Sequence, residues 1–311
     1  MSLLGVEIGG TKLQIVVGDD SAKIVERHRL TVDKSRGGGG IREQIAATVK
    51  LLRAKLDFRA VGVGFGGPVD NGTGKICCSH QIEGWSEFPL GDWLRDIAGA
   101  PVVMDNDANV AALGEATHGA GVGSNPVFYV TLGSGVGGGL VVDGKIYHGL
   151  KPGEAEIGHV RLDKSGTTVE SRCSGWAVDA EIRKAVRHAP TGPLGQRVGA
   201  NSQAGESRHL AAALSQKDPL AQAILSATAD DLAFGLSHVV QLMHPAVIIL
   251  GGGLSLVGEP LRSAVEEALS RYVMEAFAPG PKVQLATLLE DAVPVGALEL
   301  ADGAVGGLRG E

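Results

Sequence analysis

Aromatic residues are scarce in this chain, at 4%. That is too few for the stacked platforms on which single-stranded nucleic acid lies. Basic blocks are missing as well. The formal charge is −7, with 28 Lys and Arg against 35 Asp and Glu, the wrong sign for neutralising a phosphate backbone. No apolar run approaches the ~20 residues that span a bilayer. Met1 to Gly10 has no basic leader and carries Glu7 early, which argues against a secretory signal. Cysteine is limited to Cys77, Cys78 and Cys173. An odd, sparse set reads as reduced thiols in a cytoplasmic protein, not as a disulfide framework. Neither nucleic acid nor membrane is expected as a partner. What remains is a 311-residue chain with 44% hydrophobic residues, enough for a real core and, by length, for two domains.

Glycine is what the chain has in excess. It supplies 47 residues, roughly twice the usual ~7% share, with no collagen period. The hydrophobic pattern around these glycines alternates between strand and helix. Strands are expected at Leu3–Ile8, Lys12–Gly18 and Lys23–Val32, then a solvated loop at Gly37 to Gly40. A helix over Ile41 to Leu56 follows, with Ile41, Ile45, Val49, Leu52 and Leu56 at helical spacing. Strands at Ala60–Phe65 and Pro101–Met104 and a helix from Asp107 to His118 complete the first half. The pattern then restarts with strands at Val127–Leu132, Gly139–Val142 and Lys145–Tyr147. A long helix near Ala221–Met243 stops at Pro245, ahead of a buried strand at Ala246–Leu250. A helix at Pro260–Tyr272, a strand at Lys282–Ala286 and a last helix from Val293 close the chain. Two halves that both open with strand, glycine turn and strand suggest an internal duplication and an α/β architecture with mixed sheets. A boundary near Glu115–Val122 and a ligand cleft between the halves are expected.

Two glycine clusters match G-x-G-x-x-G: Gly62, Gly64, Gly67 and Gly133, Gly135, Gly138. A dinucleotide fingerprint must open a helix. The first runs into the turn Pro68 to Gly72 and the second into a strand, so both fail. Walker A is absent too, because Thr11 precedes Lys12. Glycine hairpins can instead hold phosphates with backbone N–H groups and a Ser or Thr hydroxyl. Asp107 sits at a strand–helix junction, where a carboxylate is either a helix cap or a general base. Glu156 and His159 stand three apart in a Gly-flanked segment, as solvated side chains or as a polar binding pair.

Six segments in order resemble the motifs of the ROK sugar kinases, within the actin/hexokinase-like ATPases. Gly5 to Lys12 is similar to the first phosphate motif, and Gly64 to Asp70 to the first connecting motif. Asn106-Asp107-Ala108-Asn109 with Ala111 to Glu115 resembles the catalytic segment. Thr131 to Gly139 resembles the second phosphate motif, Glu156-Ile157-Gly158-His159 the substrate signature, and Ile248 to Gly253 the adenosine motif. The resemblance implies a two-domain actin-like ATPase (ribonuclease H-like) fold, α/β with mixed sheets and an interdomain cleft. Its N-terminal domain would be 1–115 plus about 292–311, and its C-terminal domain 116–291. It implies an ATP-dependent kinase acting on a hexose or N-acyl hexosamine, glucose first, and a homodimer.

The resemblance also implies roles. Asp107 is the catalytic base. Gly66, Gln81, Asn106, Glu156 and His159 contact the sugar. Gly9, Gly10, Thr11, Lys12, Thr131, Gly133, Ser134, Gly135, Gly251, Gly252 and Gly253 contact ATP. Glu7 helps place the Mg2+ of Mg-ATP indirectly.

Four departures from the family pattern stand out. Glu7 replaces the usual Asp, and Gln81 replaces a usual Asn. The family's cysteine knuckle falls on Gly166, Thr168 and Cys173, with one cysteine left, so no structural zinc is expected. The segment Leu162 to Cys173 should then be ordered by packing, with Trp176 as its apolar anchor. A sugar-binding Glu falls on Gly175, and Glu170 or Asp179 is a candidate to replace it. These losses leave open a catalytically impaired sugar- or nucleotide-binding protein. A regulator of the same fold would carry a helix-turn-helix before its first phosphate motif, which here begins at Gly5. Retention of Asn106-Asp107 favours the enzyme.

Overall fold

The structure is a computed structural model that describes residues 2–10, 12–77, 82–150, 153, 155–199 and 202–306. The chain forms two compact units. The first takes Met1–Val122, Gly139–Glu154 and Glu290–Glu311, and the second takes Gly123–Gly138 and Ala155–Leu289.

The chain opens with β1 (Ser2–Ile8), β2 (Lys12–Gly18) and β3 (Ile24–Thr31), an antiparallel meander. Then come α1 (Gly37–Arg53), β4 (Phe58–Phe65), the short hairpin β5 (Val69–Asp70) and β6 (Lys75–Ile76), and α2 (Leu90–Ala98). β7 (Val102–Asn106) leads into α3 (Asp107–His118). The sheet order is β3-β2-β1-β4-β7, with β1, β4 and β7 parallel. Leu3, Leu4 and Val6 in β1 and Val61 and Val63 in β4 are fully buried, as expected of central parallel strands covered on both faces.

β8 (Val127–Leu132), β9 (Val136–Val142) and β10 (Lys145–Ile146) begin a second sheet. Helices α4 (Val169–Cys173), α5 (Gly175–His188), α6 (Pro193–Val198), α7 (Leu210–Ser215) and α8 (Pro219–Met243) follow. β11 (Val247–Gly251), α9 (Glu259–Leu269) and β12 (Lys282–Leu285) complete the second sheet, and α10 (Ala292–Gly306) ends the fold. The second sheet has the order β10-β9-β8-β11-β12, with β8, β11 and β12 parallel. The strand succession of the first sheet is thus repeated.

Local chemistry explains the main boundaries. Asp218 caps α8 by accepting from Leu220 and Ala221 N–H, and Pro219 occupies its first turn. His244 ends it in the left-handed region, just before Pro245. α10 packs on α3, β4 and β1. That contact requires glycine, because a Cβ on Gly62 would lie 1.8 Å from the Ala297 carbonyl oxygen and one on Gly296 would lie 1.8 Å from that of Val110. The first G-x-G-x-x-G match therefore serves helix-on-strand packing at Gly62.

One expectation is corrected here. Gly37 to Gly40 form the first turn of α1, not a solvated loop. The Gly38 N–H donates to the Glu83 carbonyl at 2.8 Å, and a Cβ there would come within 3.0 Å of the Gly84 oxygen. The run lets a helix start lie directly against backbone. Among the described residues no helix is long and apolar enough to cross a membrane.

Candidate active site

In the first unit the carboxyl ends of β1, β4 and β7 come together through backbone geometry. Ile8 pairs with Phe65, and Phe65 with Asn106. Gly66 follows β4, and its N–H donates to the Ile8 carbonyl at 2.8 Å. A Cβ on Gly66 would lie 3.3 Å from Asp107 Oδ2, 3.3 Å from the Ile8 oxygen and 3.4 Å from Gly9 Cα. One missing side chain thus brings the glycine hairpin, the connecting loop and the Asp107 carboxylate into contact range. The ends of parallel strands are where α/β sheets bind ligands.

Asp107 is not the helix cap. That role falls to Asn106, whose Oδ1 accepts the Ala108 N–H at 2.9 Å while its Nδ2 donates to the Gly67 carbonyl at 3.1 Å. Asp107 occupies the first helical position of α3, half-buried, at the positive end of the helix dipole. Behind it, Asp105 is buried at 4% exposure. Its Oδ1 accepts from Asn106 N–H and Asn109 Nδ2, and its Oδ2 from His148 Nε2.

The β1–β2 turn is closed by Gly9 N–H donating to Lys12 O at 2.8 Å. Glu7 lies under it, with Lys12 Nζ at 3.4 Å and Gln14 Nε2 donating to it at 2.8 Å. Gln14 is itself buried, and its Oε1 accepts from Arg27 and Arg29. Burial pushes the Glu7 carboxyl above its ordinary range, and Lys12 and Gln14 offset this only in part.

In the second unit, Gly133 N–H donates to Gly135 O at 2.9 Å and closes the β8–β9 turn, leaving Ser134 exposed at its tip. Gly175 N–H donates to Gly133 O at 2.7 Å, and a Cβ on Gly175 would lie 2.9 Å from that oxygen. The position therefore has no room for a glutamate without backbone movement. Neither nearby carboxylate stands idle. Glu170 Oε2 accepts the Val136 N–H at 2.9 Å, and buried Asp179 accepts from Gly205 and Ser207 N–H. Both hold backbone in place. Glu156 and His159 bracket a short 3-10 turn, both exposed, with Gly158 packed on the Val136 carbonyl. Gly252 has φ +77°, and a Cβ there would meet the Leu132 backbone at 2.6 Å, so the Gly251-Gly252-Gly253 turn sits against the end of β8. Thr131 is half-buried at that end.

The segment matching the cysteine knuckle is held by other means. Asp163 Oδ1 accepts from Ser165, Gly166 and Thr167 N–H, and Thr168 and Ser171 form a capping box. Trp176 is 66% exposed and does not anchor it, which corrects the sequence expectation. Val169 and Cys173, both at 0%, do so instead. Burial pushes the Cys173 thiol up to about 12. Thr11 and Gln81 lie outside the described residues.

A model of the ROK family matches residues 3–304. This chain belongs to the ROK family. It is 31% identical to a glucokinase of Halalkalibacterium halodurans over 94% of this chain and 92% of that one. It is 29% identical to an N-acetylmannosamine kinase of Salmonella agona over 97% and 99% of the two chains. A ROK glucokinase of Streptomyces griseus, solved with glucose and AMPPNP, superposes with a TM-score of 0.83 at 31% identity, covering 97% of this chain and 100% of that one. The two-domain actin-like ATPase fold of ROK kinases is thereby this chain's fold. Sequence reasoning missed Asp105, His148 and Gln14. Only Gln14 left a signal, as a lone polar residue inside the apolar strand Leu13 to Val17.

Proposed function

We propose that this protein transfers the γ-phosphoryl group of ATP to a hydroxyl of a hexose or N-acyl hexosamine, with glucose the first candidate. The observation that carries the reading is the contact at Gly66, where Asp107 Oδ2 and the Gly9 turn share the space of one absent side chain. A general base and a phosphate-holding turn must be neighbours for in-line transfer.

On this reading Asp107 takes the proton of the attacking hydroxyl as its oxygen bonds to the γ-phosphorus. The bond from that phosphorus to the bridging oxygen of ADP breaks, and the proton then leaves Asp107 for water. Such a base is worth about 10²–10⁴-fold in rate. Asn106 holds the first turn of α3 and, with Glu156, His159, Gln81 and the Gly66 loop, hydrogen-bonds the sugar. Gly9, Gly10, Thr11 and Lys12, with Thr131, Gly133, Ser134 and Gly135, hold the phosphates. Gly251, Gly252 and Gly253 support the adenosine. Glu7 suits an Mg2+ arriving with ATP, since a carboxylate destabilised by burial gains from further positive charge. The ion would neutralise phosphate charge. The 162–173 segment is read as folding without zinc, through Asp163, Val169 and Cys173.

A panel of hexoses and N-acyl hexosamines with ATP, scored by ADP release, tests the reading. Sugar-dependent release with at least one member is expected. Release no faster than in sugar-free controls across the panel would overturn it.

A further inference from the structure

Asp105 is a buried carboxylate two residues before the proposed base, in β7 one residue before the strand ends. Three donors meet it. Its Oδ1 accepts the Asn106 N–H at 2.8 Å and Asn109 Nδ2 at 2.9 Å, and its Oδ2 accepts His148 Nε2–H at 2.6 Å. The first two come from its own strand end and from the opening turns of α3. The third comes from elsewhere in the chain. His148 follows β10, where Tyr147 N–H still donates to Leu140 O at 2.8 Å and keeps the hairpin paired. That hairpin also presses on α3 directly. A Cβ on Gly139 would lie 2.6 Å from Ala112 Cβ and 2.9 Å from the Ala108 carbonyl oxygen.

We infer that His148 is a positioning residue for the catalytic segment, acting through Asp105 on the first turn of α3. The inference rests on the reading of Asp107 as the base. The bond is short, as charge-assisted bonds to carboxylates are. Asp105 is 4% exposed while the His148 side chain is 38% exposed, so the imidazole replaces water as the buried acid's third donor. Without it, a buried carboxylate lacks a donor. Water that enters in its place is not tied to the β9–β10 hairpin as His148 is, and the carboxylate's hold on Asn106 N–H and Asn109 loosens. Asp107 sits between those two residues, so its carboxylate moves with them. Misplacement by about 1 Å costs on the order of 10²-fold in rate.

The test compares His148→Ala, His148→Gln and His148→Asn. The Gln amide nitrogen reaches the place of Nε2, whereas the Asn amide reaches only that of Nδ1. With the sugar that supports ADP release, His148→Ala and His148→Asn should lose about 10- to 100-fold in kcat, with KM for ATP and for sugar nearly unchanged. His148→Gln should recover most of the loss. Amide hydrogen exchange over residues 105–110 should quicken in the Ala variant and return toward wild type in the Gln variant. Wild-type kcat in His148→Ala, a loss confined to KM, or Gln no better than Ala would overturn the inference. So would unchanged exchange. If the Ala variant does not fold, the Gln–Asn comparison decides. Asp107→Asn run in parallel separates the claims. A fully active Asp107→Asn sinks the base and the inference with it. An inactive Asp107→Asn beside a fully active His148→Ala sinks the positioning role of His148 alone.

Discussion

Glu7 shows how one half-buried acid couples stability to function. Its carboxyl sits above the ordinary value of 4.5 because burial disfavours its charged form more than Lys12 and Gln14 restore it. The native state therefore holds this proton more tightly than the unfolded chain does. As pH rises from about 4.5 through the raised native value, the native state gives up a proton it binds well, and stability falls. Glu7→Gln mimics the protonated acid. It should melt higher than wild type at pH 7, with the difference closing as pH falls toward 4, and it should transfer phosphate more slowly. Thermal melts of both proteins across that range check the sign, and a Glu7→Gln variant that melts lower at pH 7 would contradict it. Glu7 was readable in the sequence because it stands in the first motif. Its dependence on Gln14, Arg27 and Arg29 was not, since those partners meet only across strand pairings.

Elements meet α10 through glycine. A Cβ on Gly296 would lie 1.8 Å from the Val110 oxygen and 3.0 Å from Gly114 N, and both are backbone atoms that cannot swing aside. Gly296→Ala should therefore cost about 3 kcal/mol of overpacking against ~1 kcal/mol gained in helix propensity. Gly303→Ala lies in the same helix with nothing within 4 Å of the added carbon, and should stabilise by up to ~1 kcal/mol. Urea midpoints of the two variants, moving in opposite directions, check both. Helix α1 was legible over Ile41, Ile45, Val49 and Leu52 because these buried positions repeat at helical spacing. Its glycine start was not, because glycine signals a loop locally and the reason for it lies in the backbone of Glu83 and Gly84. α2 escaped notice because nine residues show its period only through Leu90, Leu94 and Ala98.

At the scale of the whole chain, two sheets of like strand succession carry a glycine turn each, with Asp107 at a strand end of the first and the Gly251-Gly252-Gly253 turn at a strand end of the second. The order of those motifs was visible in the sequence, since each is a contiguous run. What the runs cannot carry is the support behind them, such as His148 reaching Asp105 across 43 positions. That Gly175 leaves no room for a side chain is likewise visible only in the Gly133 oxygen, 2.9 Å from where its Cβ would be. Everything proposed for this chain turns on Asp107 being the base of a sugar kinase. Turnover of Asp107→Asn with saturating ATP and the best hexose of the panel tests it most directly, with sugar binding measured on the same preparation. A loss of about 10²–10⁴-fold in kcat is expected, with sugar affinity nearly intact. Wild-type turnover by Asp107→Asn would contradict it.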